Sequence, residues 1–113
     1  MKYAVLLYDD PAAWESVDDE TMRSLHDEYM AVASEPENYG GAQLQPAGTA
    51  KTLRMDGGRL LVTDGPFAET KEIISGLYLL DADSEERAIE LASRIPTVSR
   101  MGGAVEVRPI VER

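Results

Sequence analysis

The order of apolar runs along the chain is the feature that most limits its possible folds. A strand-like run at 3–8 precedes a helical pattern that begins near residue 16, and runs at 73–80 and 104–107 enclose a second helical pattern that begins near residue 84. Each half of the chain therefore contains a strand, a helix and a further strand. This order predicts the split βαβ arrangement of a ferredoxin-like α+β fold.

A β-hairpin is predicted between the two halves. Residues 49–55 and 59–63 are strand-like, and Asp56-Gly57-Gly58 between them accepts the positive φ angles of a tight turn. We expect this hairpin, 49–63, to be an insertion into the ferredoxin-like plan. A shorter strand is predicted at 42–45, before the hairpin.

The helical patterns and strand patterns together predict one apolar core. Ser16-Val17-Asp18-Asp19 matches a capping box at the start of the first helix, and Ser84 precedes the acidic first turn of the second. Gly76 lies inside a strand-like run, which predicts a bulge or the close approach of another backbone. The predicted core includes Val5, Leu7, Leu25, Leu61, Ile74, Leu77, Leu79, Leu91 and Val107.

The ferredoxin-like plan leaves one face of the sheet without cover. Both helices lie on the same face, so the opposite face needs another layer. A chain of 113 residues is long enough for one core and forms a single domain, 1–113. Such a small domain covers the second face most easily with another copy of itself. We therefore expect a homodimer.

The charge and composition exclude several classes of function. The net charge is −10, and residues 1–38 hold ten acidic side chains against two basic ones. Direct binding of nucleic acid needs a basic face, which this sequence lacks. No apolar run approaches the roughly 20 residues of a membrane-spanning helix. We expect a cytoplasmic protein with no membrane partner.

The residue types that hold common cofactors are scarce. The chain has one histidine and no cysteine, so a typical zinc or iron site is not expected. No glycine-rich motif of the dinucleotide-binding or P-loop type is present. The sequence therefore predicts neither a metal nor an organic cofactor.

Residues 63–72 concentrate polar chemistry around an aromatic side chain. Asp64 precedes Gly65-Pro66 at a strand end, so its carboxylate either accepts N–H groups of its own turn or serves in proton transfer at a cleft. The candidate ligand-binding residues of this segment are Phe67, Glu69, Lys71 and Glu72. The alternative for Phe67 is a place in the core, and for the charged residues an ion-paired surface loop.

His26 is the other candidate for chemistry. It lies four residues after Met22 and three before Tyr29, at the border of the buried stripe of the first helix. An imidazole there could act as a general base near neutral pH. The alternative is a histidine that packs at the edge of the stripe without any catalytic role.

The segment Asp64–Glu72, DGPFAETKE, resembles the signature of the DGPF-domain proteins within the wider YCII-related family. Segments at 1–3, 46–50, 76–80 and 106–109 are also similar, so the resemblance covers nearly the whole chain. It implies a ferredoxin-like fold that dimerises in the manner of the dimeric α/β barrels. It implies no established reaction, and some family members are associated with extracytoplasmic-function sigma factors.

The resemblance also implies an active site made of a helix histidine and a nearby acid. His26 occupies about the matching place, and Glu35 falls near the expected place of the acid. Asp64 is the stronger candidate from the residues themselves, and we expect it within about 4 Å of a polar partner, with His26 the most telling one.

Two classes of function follow from these residues. The first is a cofactor-independent enzyme that acts on a small organic molecule in a cleft bordered by His26, Asp64 and the 67–72 loop. The second is a non-catalytic module that binds a small ligand or a regulatory partner such as a sigma factor.

Overall fold

The computed structural model describes all 113 residues, Met1–Arg113. The chain forms an α+β structure with antiparallel sheets and four helices, and none of these helices has the length and apolar composition to span a membrane. The elements in chain order are β1 Lys2–Asp9, α1 Pro11–Glu15, α2 Asp19–Ala33, β2 Asn38–Gln43, β3 Lys51–Asp56, β4 Arg59–Asp64, β5 Ile73–Asp81, α3 Glu85–Ser93, α4 Pro96–Ser99 and β6 Ala104–Pro109.

The main sheet has four strands in the order β2-β5-β1-β6. Strand β1 lies in the interior and pairs antiparallel with both β5 and β6. Its side chains alternate, because successive residues of a strand point to opposite faces. Tyr3, Val5, Leu7 and Asp9 are buried on the face that the helices cover. This strand order is consistent with the predicted ferredoxin-like plan.

The core lies between this face of the sheet and the helices. Leu25 and Val32 are the buried residues of α2, and Ala88, Leu91 and Ala92 are those of α3. The predictions of Val5, Leu7, Leu25 and Leu91 as core residues are confirmed by their burial.

Other core predictions are wrong because sheet periodicity does not tell which face is covered. Ile74 is exposed, and Leu77 and Leu79 are only half-buried. Leu61 is exposed because it lies in the hairpin, where no residue of its strand is buried. Val107 is half-buried and packs against the core, as predicted. Leu77 and Leu79 pair with Leu6 and Ala4 of β1, which lie on the face opposite the helices. That face is an apolar surface at its centre, and within one chain no helix packs on it.

The predicted hairpin is present and stands apart from the core. Strands β3 and β4 form their own two-stranded sheet, and Gly57 and Gly58 at its turn have φ angles of 56° and 81°. No residue of either strand is buried. The molecule is flat, with extents of 46 × 43 × 18 Å. The radius of gyration is 15.9 Å, against about 13 Å for a compact domain near this size.

Two local predictions are wrong. They concern the residue that caps helix α2 and the position of the strand predicted at 42–45. Helix α2 is capped by Asp18, whose side chain accepts a hydrogen bond from the Thr21 N–H, and not by Ser16. Ser16 instead closes the short helix α1, which Pro11 begins. The strand predicted at 42–45 lies at Asn38–Gln43, because the glycines there pair with β5 instead of forming a turn.

Candidate ligand-binding cleft

A cleft of about 1740 Å³ opens between helices α1 and α2 on one side and strands β2 and β5 on the other. Small-molecule sites usually enclose about 300–1,000 Å³, so this cleft is large enough for a ligand and is open to solvent. Its wall is mainly apolar and aromatic. The larger apolar side chains that line it include Leu7, Trp14, Met22, Tyr29, Met30, Leu44, Ile73 and Tyr78.

Two glycines let the strands of this wall approach closely. A side chain at Gly41, which has a φ of 145°, would place its Cβ 2.4 Å from the carbonyl oxygen of Leu77. A Cβ at Gly76 would lie 2.8 Å from the carbonyl oxygen of Ala42. The close approach predicted at Gly76 is thus confirmed, and the cleft wall depends on residues without side chains.

A β-bulge next to Gly76 turns Ser75 toward the helices. The pairing of β1 with β5 shifts between Leu7 and Tyr8, which pair with Gly76 and Ile74, so Ser75 is the extra residue. Bulges often redirect a side chain near a functional site. Here the redirected Ser75 hydroxyl donates a hydrogen bond to Asp9.

Asp9 is a buried carboxylate at the end of β1, and it lines the cleft while only 5% exposed. Its Oδ1 accepts a hydrogen bond from the Trp14 indole Nε1 at 3.1 Å. Its Oδ2 accepts from the Thr97 hydroxyl at 3.1 Å and from the Ser75 hydroxyl. Three neutral donors therefore satisfy this carboxylate, as a buried carboxylate requires.

Tyr29 extends the same network into the cleft. Its hydroxyl lies 2.7 Å from Thr97 Oγ1, and the Tyr78 hydroxyl donates to the Tyr29 carbonyl oxygen at 3.0 Å. Burial raises the pKa of Tyr29 to about 12 and that of Tyr78 to about 12. Both phenols therefore keep their protons at neutral pH, so neither serves as a base there. We call Asp9, Trp14, Tyr29, Ser75 and Thr97 the Asp9 network.

His26 lies on the α2 side of the same cleft, and its imidazole is exposed to solvent. The charged side chains that share the wall are mostly acidic. The acidic residues of the wall are Asp9, Asp19, Asp27 and Glu69, and the wall contains one arginine, Arg23. The electrostatic potential of the cleft is therefore negative. No three carboxylate or imidazole groups converge in a way that could hold a metal ion.

Asp64 lies outside the cleft. Its side chain is 84% exposed and forms an ion pair with Lys51, its partner across the base of the hairpin. The predicted contact between Asp64 and His26 is not formed within the chain. The N–H of Gly65 donates to the Ala50 carbonyl oxygen at 2.8 Å, so the turn is held by the backbone.

The other residues predicted in the 67–72 loop lie in different surroundings. Glu69 lines the cleft, whereas Phe67 is 73% exposed with the Arg54 guanidinium 4.8 Å from its ring centroid. Lys71 Nζ lies 3.8 Å from Asp10 Oδ2, and Glu72 is exposed. Of the four candidates, the cleft gathers only Glu69.

Glu35, the acid implied by resemblance, lies outside the cleft wall in an ion-pair network. Its Oε1 lies 3.1 Å from Arg94 Nη1, and its Oε2 lies 3.4 Å from Arg87 Nη2. A hydrogen bond from Arg87 also holds the pKa of the neighbouring Glu37 carboxyl below its usual range. These contacts tie the end of α2 to α3, and they do not bring Glu35 and His26 into one site.

The whole chain, residues 1–113, matches the model of the YCII-related domain. It belongs to the YCII-related family. An uncharacterized protein of Rhizobium meliloti (strain 1021) is 39% identical over 114 residues, which cover 97% of this chain and 92% of that relative. The resemblance to the YCII-related family read from the sequence is therefore confirmed. The YCII-related domain includes the cleft, the Asp9 network and the hairpin.

Sequence reasoning missed the Asp9 network of this YCII-related protein. A signal was present, because Asp9 follows directly after the apolar run of β1. No sequence signal pointed to its partners Ser75 and Thr97, because they lie 66 and 88 positions away along the chain. Only the fold brings these hydroxyl groups to one carboxylate.

Proposed function

We propose that this YCII-related protein binds a small organic molecule in the cleft and acts on it without a cofactor, with His26 as the group that transfers a proton. The observation that carries the proposal is the position of the one histidine on the wall of an apolar cleft with fixed polar groups. Imidazole is the side chain whose charge ordinarily changes near neutral pH, so it suits a general base or acid.

The apolar lining supports binding of a ligand with an apolar body. Met22, Met30 and Leu44 line the cleft and remain 40%, 50% and 46% exposed. A ligand that covers them removes apolar surface from water, which contributes about 25 cal/mol per Å². Trp14 and Tyr29 add aromatic surface, with ring centroids 6.2 Å apart.

The Asp9 network gives this cleft a fixed shape. Asp9 holds the Trp14 indole, and Thr97 holds the Tyr29 hydroxyl, so two aromatic rings of the wall are kept in place. Because three donors already occupy Asp9, we assign it a positioning role. Proton transfer falls to His26, which faces solvent and ligand alike.

The proposal includes a homodimer that packs through the open face of the main sheet. Leu6, Leu77 and Leu79 contribute apolar surface there, and Ala4 lets a second sheet approach. Stable interfaces usually bury at least about 1,200 Å² in total. The flat shape of the chain provides a broad surface for such a contact. A packing of two sheets would follow the dimeric α/β-barrel arrangement.

A second function, ligand binding without turnover, is favoured by the surroundings of His26. Asp64 pairs with Lys51 and Glu35 pairs with Arg94, so neither acid orients the imidazole within one chain. A small-ligand or regulatory-partner module needs no such orientation. The cleft serves equally well for binding alone.

One experiment separates the two functions. Trp14 is the one tryptophan of the chain and lines the cleft, so its fluorescence reports ligands in a screen of small organic molecules. Ligands found this way are incubated with the wild type and with His26→Ala, and products are followed by mass spectrometry. We expect turnover in the wild type only, with binding retained in the variant. Equal product formation, or none in the wild type, contradicts the enzymatic proposal.

A further inference from the structure

The hydrogen atoms of the Asp9 network are all directed inward. Trp14, Ser75 and Thr97 each have a single side-chain donor hydrogen, and each donates it to Asp9. Because the Thr97 hydrogen is used in this way, Thr97 accepts the hydrogen of the Tyr29 hydroxyl, which lies 2.7 Å away. No member of the network has a donor left for a ligand.

The acceptor oxygens of the network are still available to the cleft. Ser75 and Tyr29 are half-buried, both line the cleft, and each hydroxyl oxygen retains lone pairs. The neighbouring Tyr78 hydroxyl also donates inward, to the Tyr29 carbonyl oxygen. A ligand group that reaches this end of the cleft therefore meets oxygen acceptors.

The charges of the cleft wall also favour a ligand that carries a positive charge. Asp9 accepts hydrogen bonds from three neutral donors, and the neighbouring cation, Lys71, pairs with Asp10 instead. Asp19, Asp27 and Glu69 add negative charge to the wall, and Arg23 is the one arginine. The faces of Trp14 and Tyr29 also attract cations through their ring quadrupoles.

We infer that the cleft is selective for an organic cation, an amine whose ammonium N–H groups reach the Ser75 and Tyr29 oxygens while its apolar body lies against Trp14. This inference rests on the proposed ligand-binding function of the cleft and adds the chemical class of the ligand. Carboxylates and phosphates of the same shape should bind more weakly, because the Asp9 network offers them no side-chain donor and the acids of the wall outnumber its one arginine.

Three matched probes test the inference: phenethylamine, 2-phenylethanol and phenylacetate. They share an aromatic body and differ in a cationic, neutral or anionic end. Binding is measured by Trp14 fluorescence and by amide chemical shifts, which locate each probe. We expect phenethylamine to bind at least about ten-fold more tightly than phenylacetate, with the preference falling as salt is added.

Variants separate the acceptor groups from general surface charge. Tyr29→Phe keeps the ring and removes an acceptor, and Asp9→Asn removes the buried charge, so each is expected to lower the preference for the amine at least about three-fold. If Asp9→Asn fails to fold, Glu69→Gln on the exposed wall of the cleft provides the charge test. Glu112→Gln, on the exposed C-terminal segment outside the cleft, is the matched control and should leave the preference unchanged.

The possible results distinguish this inference from the proposal on which it rests. Equal binding of the three probes in the cleft, or a preference for phenylacetate, overturns the selectivity and leaves a ligand-binding cleft. A preference for the amine that Tyr29→Phe, Asp9→Asn and Glu69→Gln all leave unchanged also overturns it. If no probe shifts cleft resonances at about 10 mM, where a millimolar ligand fills most sites, the cleft itself is contradicted as a ligand site.

Discussion

The Thr97 hydroxyl lies 3.1 Å from Oδ2 of Asp9 and joins the short helix α4 to the end of β1 across 88 positions of the chain. Thr97 is fully buried, so its hydroxyl has no water to replace either partner. It bridges the carboxylate of Asp9 and the phenol of Tyr29. The shape of the cleft thus depends on a side chain outside its wall.

Replacing Thr97 by valine tests this bridge. Thr97→Val keeps the shape of the side chain but leaves Asp9 without one donor and Tyr29 without its acceptor. An unsatisfied buried polar group costs about 1–3 kcal/mol. Asp9 keeps two other donors and Tyr29 is half-buried, so the free energy of unfolding should fall by about 1–3 kcal/mol in total. Urea denaturation measures the change.

The matched control is Thr63→Val in the hairpin, where the hydroxyl is exposed and makes only a long 3.4 Å hydrogen bond to the Thr52 carbonyl oxygen. Its effect should stay within about 0.5 kcal/mol. Equal effects of the two substitutions would show that the Thr97 bridge does not stabilise the fold.

The raised pKa values of Tyr29 and Tyr78 predict a loss of stability at alkaline pH. Each pKa rises from 10.0 to about 12 on folding, so the unfolded chain loses these protons first. The resulting stabilisation is complete below pH 10 and disappears as the pH rises toward 12. Because both phenols are partly exposed, we expect no more than about 1 kcal/mol from each.

Absorbance of tyrosinate and denaturation at several pH values measure this effect. Tyr29→Phe and Tyr78→Phe should each remove part of the titration above pH 11 and flatten the fall in stability. Tyr39→Phe, at an exposed side chain, is the control and should leave the fall in stability unchanged. A wild-type titration with no component above pH 11 would contradict the prediction.

The open face of the main sheet predicts that a charge at its centre prevents dimerisation. Leu6 pairs with Leu77 there, so Leu6→Lys introduces a cation into the proposed apolar interface. Light scattering after size-exclusion chromatography should give a dimer mass for the wild type and a monomer mass for Leu6→Lys. Ile89→Lys changes an exposed apolar residue of α3 and should remain dimeric. A wild-type monomer at micromolar concentration would refute the dimer.

The close backbone approach at Gly41 predicts that a side chain at this position destabilises the cleft wall. In Gly41→Ala the new Cβ meets the Leu77 carbonyl oxygen, and alanine rarely adopts a φ of 145°. We expect a loss of about 1–3 kcal/mol in the free energy of unfolding. Gly48→Ala, where no atom lies within 4 Å, is the control and should change stability by less than about 0.5 kcal/mol. Similar thermal melts for both variants would contradict this explanation of Gly41.

The sequence predicted those parts of the fold that local patterns determine. The hairpin follows from Gly57 and Gly58, and the bulge near Gly76 follows from a glycine inside a strand. Which face of the main sheet the helices cover could not be predicted in the same way. The alternation of side chains along a strand is the same whichever face is buried. Ile74 is exposed for this reason, whereas Leu61 is exposed because it lies in the hairpin, where no residue of either strand is buried.

The site was harder to predict than the fold because its residues are brought together by long-range contacts. His26 and Glu69 were predicted and do line the cleft, whereas Asp64 belongs to the hairpin and pairs with Lys51. The role of Asp9 could not be predicted, because Ser75 and Thr97 reach its carboxylate from two distant segments of the chain.

The exposed hairpin has a consequence for how such a domain can change during evolution. The β3–β4 hairpin contributes no buried residue to the core. In its effect on folding it therefore resembles a long loop between β2 and β5. Loop closure becomes costlier by only about 0.6 kcal/mol for each doubling of length. The hairpin can therefore become longer or shorter, or change its side chains, at little cost to the stability of the fold. Substitutions in the hairpin can therefore create new contacts without changing the buried core.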